Sequence, residues 1–356
     1  MLVKRKPKPL LFVLITIFVF IICIGATWWH FTGPVDSGNK EDVEVVVTSG
    51  MSTGQIGEML KEKDLIYSVR FFKVYVKIHH VVSLKASKYV LHKNMSLGEI
   101  VRTLEKGSNY NPDRIKLTFK EGLRITDYAK VVEKGTNHSS LEYFQIMNDS
   151  SYIKTLIEKY WFLTDSILDS NIYYPLEGYL APDTYYFDNK DVSITSIIET
   201  MLDEMEEKLE KYKDGLLKNP HYYLTMASII ELEGTNLDNR KMIAGIFENR
   251  LHSGMNLGSD VTTYYGLQAA MTSDLSSEQF ASVNFYNTRS STMIGKMPIG
   301  PICNPSILSI EASVNPTPSN YLFFVADKNG KIYYTKTNKE HDQKVAEIKK
   351  NGDWIW

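Results

Sequence analysis

The chain has 356 residues, with 40 Lys and Arg against 42 Asp and Glu and a formal net charge of −2. That balance lacks the basic footprint of a nucleic-acid-binding protein. Cys23 and Cys303 are the two cysteines, one in an apolar run and one far downstream, so no intramolecular disulfide scaffold is expected.

Lys4, Arg5, Lys6 and Lys8 precede an apolar run from Leu10 to Trp29. A run of about 20 apolar residues is long enough to cross a bilayer as a helix. It is longer than a usual signal-peptide core, and no small-x-small cleavage site follows it. An uncleaved single-pass anchor at 10–29 is therefore expected, with a cytoplasmic tail at 1–9. Basic residues before the run and Glu41, Asp42 and Glu44 after it predict an inside N-terminus and an extracytoplasmic remainder. Few cysteines in an exported chain fit a bacterial cell envelope. Gly33, Pro34, Ser37, Gly38 and Asn39 make 30–42 a linker.

A strand-like run at 43–48 leads into Gly50-Met51-Ser52-Thr53-Gly54-Gln55-Ile56, which opens a helix carrying Met59 and Leu60. After a second β-rich segment at 88–91, Asn94-Met95-Ser96-Leu97-Gly98-Glu99-Ile100 opens another. A looser copy at 122–128 follows 115–119. Ser52 and Ser96 are predicted N-caps. This internal strand–turn–helix repeat resembles LysM-like modules, small α/β units that often bind cell-wall glycans, and is assigned to 43–110. Residues 111–175 form an intermediate α/β region, helix-prone from 135 and carrying Tyr143, Phe144, Tyr160 and Phe162.

A loop dense in aromatics at 175–185 precedes a helix over 194–213, whose Ile197, Ile198, Met201, Met205 and Leu209 make a core stripe. The next helix is the most informative segment. Asn219 caps it, Pro220 fits its first position, and Gly234 closes it in an expected left-handed conformation. It ends in two carboxylates. Glu231 shares a face with Leu224, Ala227 and Ser228, and Glu233 follows Ile229 and Ile230 at the same spacings. A carboxyl on an apolar face at a helix C-terminus is pushed toward its neutral form, which suits a general acid. Helix-terminal Glu residues are also commonly just solvated, and periodicity does not choose between the two. A further helix with Met242, Ile243, Ile246, Phe247 and Leu251 ends at Gly254. The stretch 258–266 reads as a polar turn, and 321–325 with 331–335 as a hairpin.

Leu-Glu-Gly-Tyr-Leu-x-Pro-Asp-Thr-Tyr at 176–185, Ala-Ser-Ile-Ile-Glu at 227–231, Phe-x-Asn-Arg-Leu at 247–251, Ser-Asp-x-Thr at 259–262 and Tyr-Asn-Thr at 286–288 occur in order. A Gly/Pro-rich loop through Asn304-Pro305 and Thr337-x-x-Glu340-His341 complete the set. Together they resemble the endolytic murein transglycosylases of the YceG-like (MltG) family, over almost the whole chain. Gly258, Val261, Arg289 and the 296–299 segment depart from the family pattern, which puts details of a substrate groove in doubt.

The resemblance implies an α+β fold with an N-terminal transmembrane helix, LysM-like α/β modules and a mixed α+β catalytic domain at 176–356. It implies cleavage of MurNAc–GlcNAc β-1,4 bonds in nascent peptidoglycan strands to 1,6-anhydro ends, limiting strand length. It also implies Glu231 as the catalytic acid, with Glu233 matching a second family acid. Asp260 and Glu233 are candidates to stabilise a sugar cation; Thr262, Tyr286, Asn287, Thr288 and Asn304 are candidate substrate-binding residues. Peptidoglycan, the membrane and cell-wall synthases are the expected partners. No metal-ligand spacing appears among the histidines, and no cofactor motif is present. A non-catalytic wall-binding scaffold and a hydrolytic muramidase remain the competing readings.

Overall fold

The computed structural model describes residues 9–354, with side chains in the first helix described from Thr16 onward. It divides into two units, 1–112 and 113–356. The first begins with helix α1 (Pro9–Thr32), which leaves Ile17, Phe18, Val19, Phe20, Ile21, Ile22 and Ile24 exposed. Among the described residues no helix is long and apolar enough to cross a membrane. The basic residues at 4–8 and the side chains at the start of the expected 10–29 span lie outside the described part.

Beyond α1 the first unit runs β1 (Val43–Val47), α2 (Thr53–Glu62), α3 (Val69–Ile78), β2 (Ser87–Leu91) and α4 (Leu97–Lys106). β1 and β2 pair antiparallel, with Val45 opposite Tyr89. The two strand–turn–helix copies thus close on each other in one sheet. Their inward residues Val45, Val47, Tyr89 and Leu91 meet Ile56, Leu60, Phe72, Ile100 and Leu104 in a single core. Ser52 and Ser96 both close full capping boxes, with Gln55 and Glu99.

The second unit opens with β3 (Ile115–Phe119) and α5 (Ile125–Gly135), the third copy of the pattern. Each of the three strands is five residues long and each is followed by five residues before its helix. The third copy has Arg124 at the N-cap and no side-chain cap of its own. Its first helical N–H, that of Ile125, instead donates to Glu177, 3.0 Å away and 52 residues on. β3 does not join the first sheet; it pairs antiparallel with β4 (Asp183–Phe187), joining the segments on either side of 175.

Between and after them come α6 (Ser140–Met147), α7 (Ser150–Lys159), α8 (Ile194–Glu210), the short α9 (Lys213–Leu216), α10 (Pro220–Glu233), α11 (Leu237–His252), α12 (Asp260–Gly266) and α13 (Ser277–Phe280). The chain ends with α14 (Ile307–Val314), a hairpin of β5 (Phe323–Ala326) and β6 (Ile332–Thr335), and α15 (Asn338–Lys350). The polar 258–266 stretch, read from sequence as a turn, is mostly helix α12.

Two apolar cores share this unit, and α10 runs between them. Leu224 and Ala227 belong to the core built on β3, α5 and α8; Met226, Ile229 and Ile230 belong to the one built on α11, α12 and Tyr286. A helix covered on both sides is apolar nearly all round, which is why its sequence shows no single stripe. Gly178 is fixed by packing and backbone together. Its φ is +84°, and an added Cβ would lie 2.3 Å from Pro301 Cβ. Gly178→Ala is expected to cost at least about 2 kcal/mol, read as a lower midpoint in urea with an unchanged slope.

Candidate active site

The C-terminal end of α10 carries Glu231 and Glu233, which two positions of helix turn to opposite sides. Glu231 faces the N-terminus of α14. Its Oε1 accepts from Arg240 Nη2 at 3.0 Å. Its Oε2 accepts from the Ser306 amide at 2.9 Å, Ser306 Oγ at 2.5 Å and Ser309 Oγ at 2.7 Å. The ion pair is nearly closed off, with 6% of the Glu231 side chain and 11% of Arg240 exposed. Arg240 also donates to the Gly234 carbonyl and to Ser306 Oγ. This is a brace across α10, α11 and α14, with both carboxylate oxygens accepting hydrogen bonds.

The brace explains Gly234, whose role differs from the one its position predicts. Its φ of −107° is not left-handed. Arg240 crosses so closely that an added Cβ would sit 2.5 Å from its Cγ and 3.2 Å from its Cα. The glycine is needed for close approach.

Glu233 faces the other way, into a cleft of about 1310 Å³ whose walls include Arg250, Ser259, Asp260, Tyr264, Phe280 and Arg289. Its one side-chain hydrogen bond comes from Ser259 Oγ, 2.6 Å from Oε1. Burial pushes the Glu233 carboxyl above the usual carboxylate range; the Ser259 bond opposes the shift, the Asp260 charge adds to it, and Arg250 opposes it. Asp260 is half-exposed at the first turn of α12 and ion-paired with Arg289, whose guanidinium lies over the Phe280 ring. The site therefore offers a carboxyl held toward its protonated form beside a carboxylate, an arginine and two aromatic rings.

Ser259 is itself held by buried neighbours. Its amide donates to Thr288 Oγ1 at 3.0 Å, and its carbonyl accepts from Thr262 Oγ1 at 2.6 Å. Thr262 and Thr288 hydroxyls lie 2.8 Å apart. Asn287 accepts from Thr263 and donates to the Phe280 and Ser282 carbonyls, fixing the loop that carries Phe280. Tyr286 stacks on Tyr173 and meets Tyr265 edge-on. Thr262, Tyr286, Asn287, Thr288 and Asn304 are all buried, so none presents a polar group to the cleft. The described hydrogen bonds of Thr262, Asn287 and Thr288 run within the fold, where they position the segments around Ser259 and Phe280.

Asn304 lies elsewhere. It accepts from the Gly178 and Leu180 amides and donates to the Leu123 carbonyl and Glu177. Glu177 also accepts from Tyr265 Oη and the Ile125 amide, and is fully buried. Burial pushes its carboxyl up to about 8. A raised acid is stabilising when protonated, so this contribution is whole below about pH 4.5 and is lost as pH rises toward 8. Glu177→Gln is expected to remove that loss, roughly 1.4 kcal/mol per pH unit in the window, in urea titrations at stepped pH. Cys303 is buried as well, and burial pushes its thiol well up, away from nucleophilic use.

The YceG-like family model matches residues 45–347. The chain belongs to that family. An endolytic murein transglycosylase of Bacillus subtilis is 35% identical over 318 residues, covering 87% of this chain and 86% of that one. One from Streptococcus pneumoniae is 33% identical over 333 residues, covering 88% of this chain but 60% of its own. The crystal structure of a YceG-like protein from Listeria monocytogenes matches 85% of this chain and 99% of its own, with a TM-score of 0.60 and 35% identity.

Within this YceG-like chain the cleft gathers Glu233 and Asp260 but not Glu231. Sequence reasoning passed over Ser259 and Arg250 as cleft residues, although both stand inside the motifs that carried the family resemblance; Arg289, noted there only as a departure from the family pattern, also lines the cleft. Removing the Ser259 hydroxyl removes a bond that favours the charged Glu233. Ser259→Ala is therefore expected to move the titration of the Glu233 carboxyl to higher pH, followed by NMR, while Thr288→Ser, which keeps the hydroxyl, leaves it in place.

Proposed function

We propose that the chain is a lytic transglycosylase acting on peptidoglycan glycan strands, and that Glu233, rather than Glu231, is its acid–base. The observation that carries this is the carboxyl held up by burial on the wall of the cleft. The relatives named endolytic murein transglycosylases supply the reaction class.

Protonated Glu233 donates its proton to the oxygen of the MurNAc–GlcNAc β-1,4 bond as that bond breaks and C1 gains oxocarbenium character. The carboxylate formed then takes the proton of the same sugar's C6 hydroxyl, whose oxygen bonds to C1. The product is a 1,6-anhydro end, with no water consumed and Glu233 returned to its acid form. Asp260 adds negative charge on the same side of the cleft, and its pairing with Arg289 orients it. Tyr264 and Phe280 line the cleft and offer aromatic surface for the sugars.

The apolar face exposed on α1 from Ile17 to Ile24 supports a membrane anchor, which would hold the cleft near nascent strands. The strand–helix–helix–strand unit after it supports a LysM-like glycan contact. The test is digestion of purified glycan strands by wild type and Glu233→Gln, with strand ends identified by mass spectrometry. Anhydro ends from wild type alone are expected. Reducing ends would make the chain a hydrolase, and no cutting by wild type would leave a wall-binding scaffold.

A further inference from the structure

Helix α3 carries four stripes, and two of them have no role in the fold's core. Phe72 and Val76 point into the core. Next to them Arg70, Lys73 and Lys77 form an exposed basic stripe. Then Val74 and Ile78, one helical turn apart, form an exposed apolar stripe, continued past the helix end by Val82, which is 96% exposed. The last stripe, Phe71, Tyr75 and His79, packs on α1.

The α1 contact fixes direction within this unit. Tyr67 lies against His30 and Phe31, and its hydroxyl reaches the Pro34 carbonyl. Phe71 lies 4.9 Å from Phe31 and 5.3 Å from Trp28, and Tyr75 and His79 lie 6.1 and 6.5 Å from Trp28. α3 thus runs back along α1 toward its apolar stretch. Its C-terminal end reaches the Trp28 level through His79, with exposed Val82 three residues further on, and Trp29 is exposed as well. Trp at the end of an apolar helix marks the headgroup level.

We propose that the exposed stripe Val74, Ile78 and Val82, flanked by Lys73 and Lys77, rests on the anionic headgroup layer of the membrane that α1 enters. An apolar row beside a basic row is the pattern of a helix lying in a membrane interface, the apolar row dipping below the headgroups and the lysines meeting lipid phosphates. Continuity with α1 and the sign of the charge select a lipid surface over a protein partner. The docked α3 would set the tilt of the first unit on the bilayer. The inference rests on the anchor reading of α1 and adds a second contact to it.

The test uses the full chain with Cys23→Ser, which leaves only buried Cys303, reconstituted in phosphatidylglycerol–phosphatidylethanolamine vesicles carrying a shallow lipid-borne quencher. An environment-sensitive fluorophore is placed in turn at Val82→Cys, at Phe20→Cys on α1, and at Val46→Cys, an exposed position on β1. Quenching at 20 and 82 but not 46 is expected. Lys73→Gln with Lys77→Gln should lower the ratio of docked to undocked protein at 82 by about fivefold per charge, and phosphatidylcholine vesicles should lower it similarly. Quenching at 20 with none at 82 overturns the docking and leaves the anchor standing. No quenching at 20 overturns the anchor itself. Equal quenching at 82 in both lipids, unchanged by the lysine substitutions, overturns the anionic headgroup contact.

Discussion

Glu231→Gln is expected to cost the protein about 3–5 kcal/mol of stability, because it removes the carboxylate that is ion-paired with the nearly buried Arg240 guanidinium. Replacing the charged carboxylate by a neutral amide, with one acceptor oxygen, also weakens the three bonds that tie α10 to the start of α14. For a unit of this size that corresponds to a fall of roughly 10 °C in Tm, measured by calorimetry or circular dichroism. Arg240→Leu tests the same brace from its other end. Removing both partners together should cost less than the sum of the two single changes, since the double variant buries no unpaired charge. A Glu231→Gln variant as stable as wild type would show that the brace holds little.

Glu233→Gln is expected to do the reverse, slowing strand cleavage by about a thousandfold with no loss of Tm. The rate figure is the usual worth of a positioned general acid. Stability is kept because the change removes a carboxyl whose charged form burial disfavours. The sign follows from that direction. A folded-state value raised above the unfolded one stabilises the protein at low pH and is a growing penalty as pH rises through the folded value. Glu233→Gln should therefore gain stability relative to wild type as pH is raised from about 4.5. In wild type the cleavage rate should fall on the alkaline side as Glu233 loses its proton, and Ser259→Ala should carry that limb upward.

The opposite behaviour expected of two glutamates two residues apart shows where the sequence was legible and where it stopped. The spacing put Glu231 with Leu224, Ala227 and Ser228, and Glu233 with Ile229 and Ile230, and those are the faces the structure shows. Which face overlooks a cleft was not written in α10. It depends on Ser259 approaching one side and Ser306 with Arg240 the other, contacts spanning 26, 75 and 9 residues of chain. The serine caps of α2 and α4 were readable because capping is local. The cap of α5 was not, because Glu177 supplies it from 52 residues away. Short polar motifs marked Thr262, Asn287 and Thr288, but their burial and their bonds to the loop behind Ser259 depend on contacts 24 to 29 residues apart that the motifs do not spell out.

The division of labour at the end of α10 is tested most directly by counting 1,6-anhydro ends formed per unit time from the same purified strands. Wild type, Glu231→Gln and Glu233→Gln would be compared at a temperature where circular dichroism shows all three folded. Glu231→Gln is expected to stay within about tenfold of wild type and Glu233→Gln to fall about a thousandfold. Loss of anhydro ends in folded Glu231→Gln, with Glu233→Gln still cutting, would contradict the assignment of Glu233 as the acid.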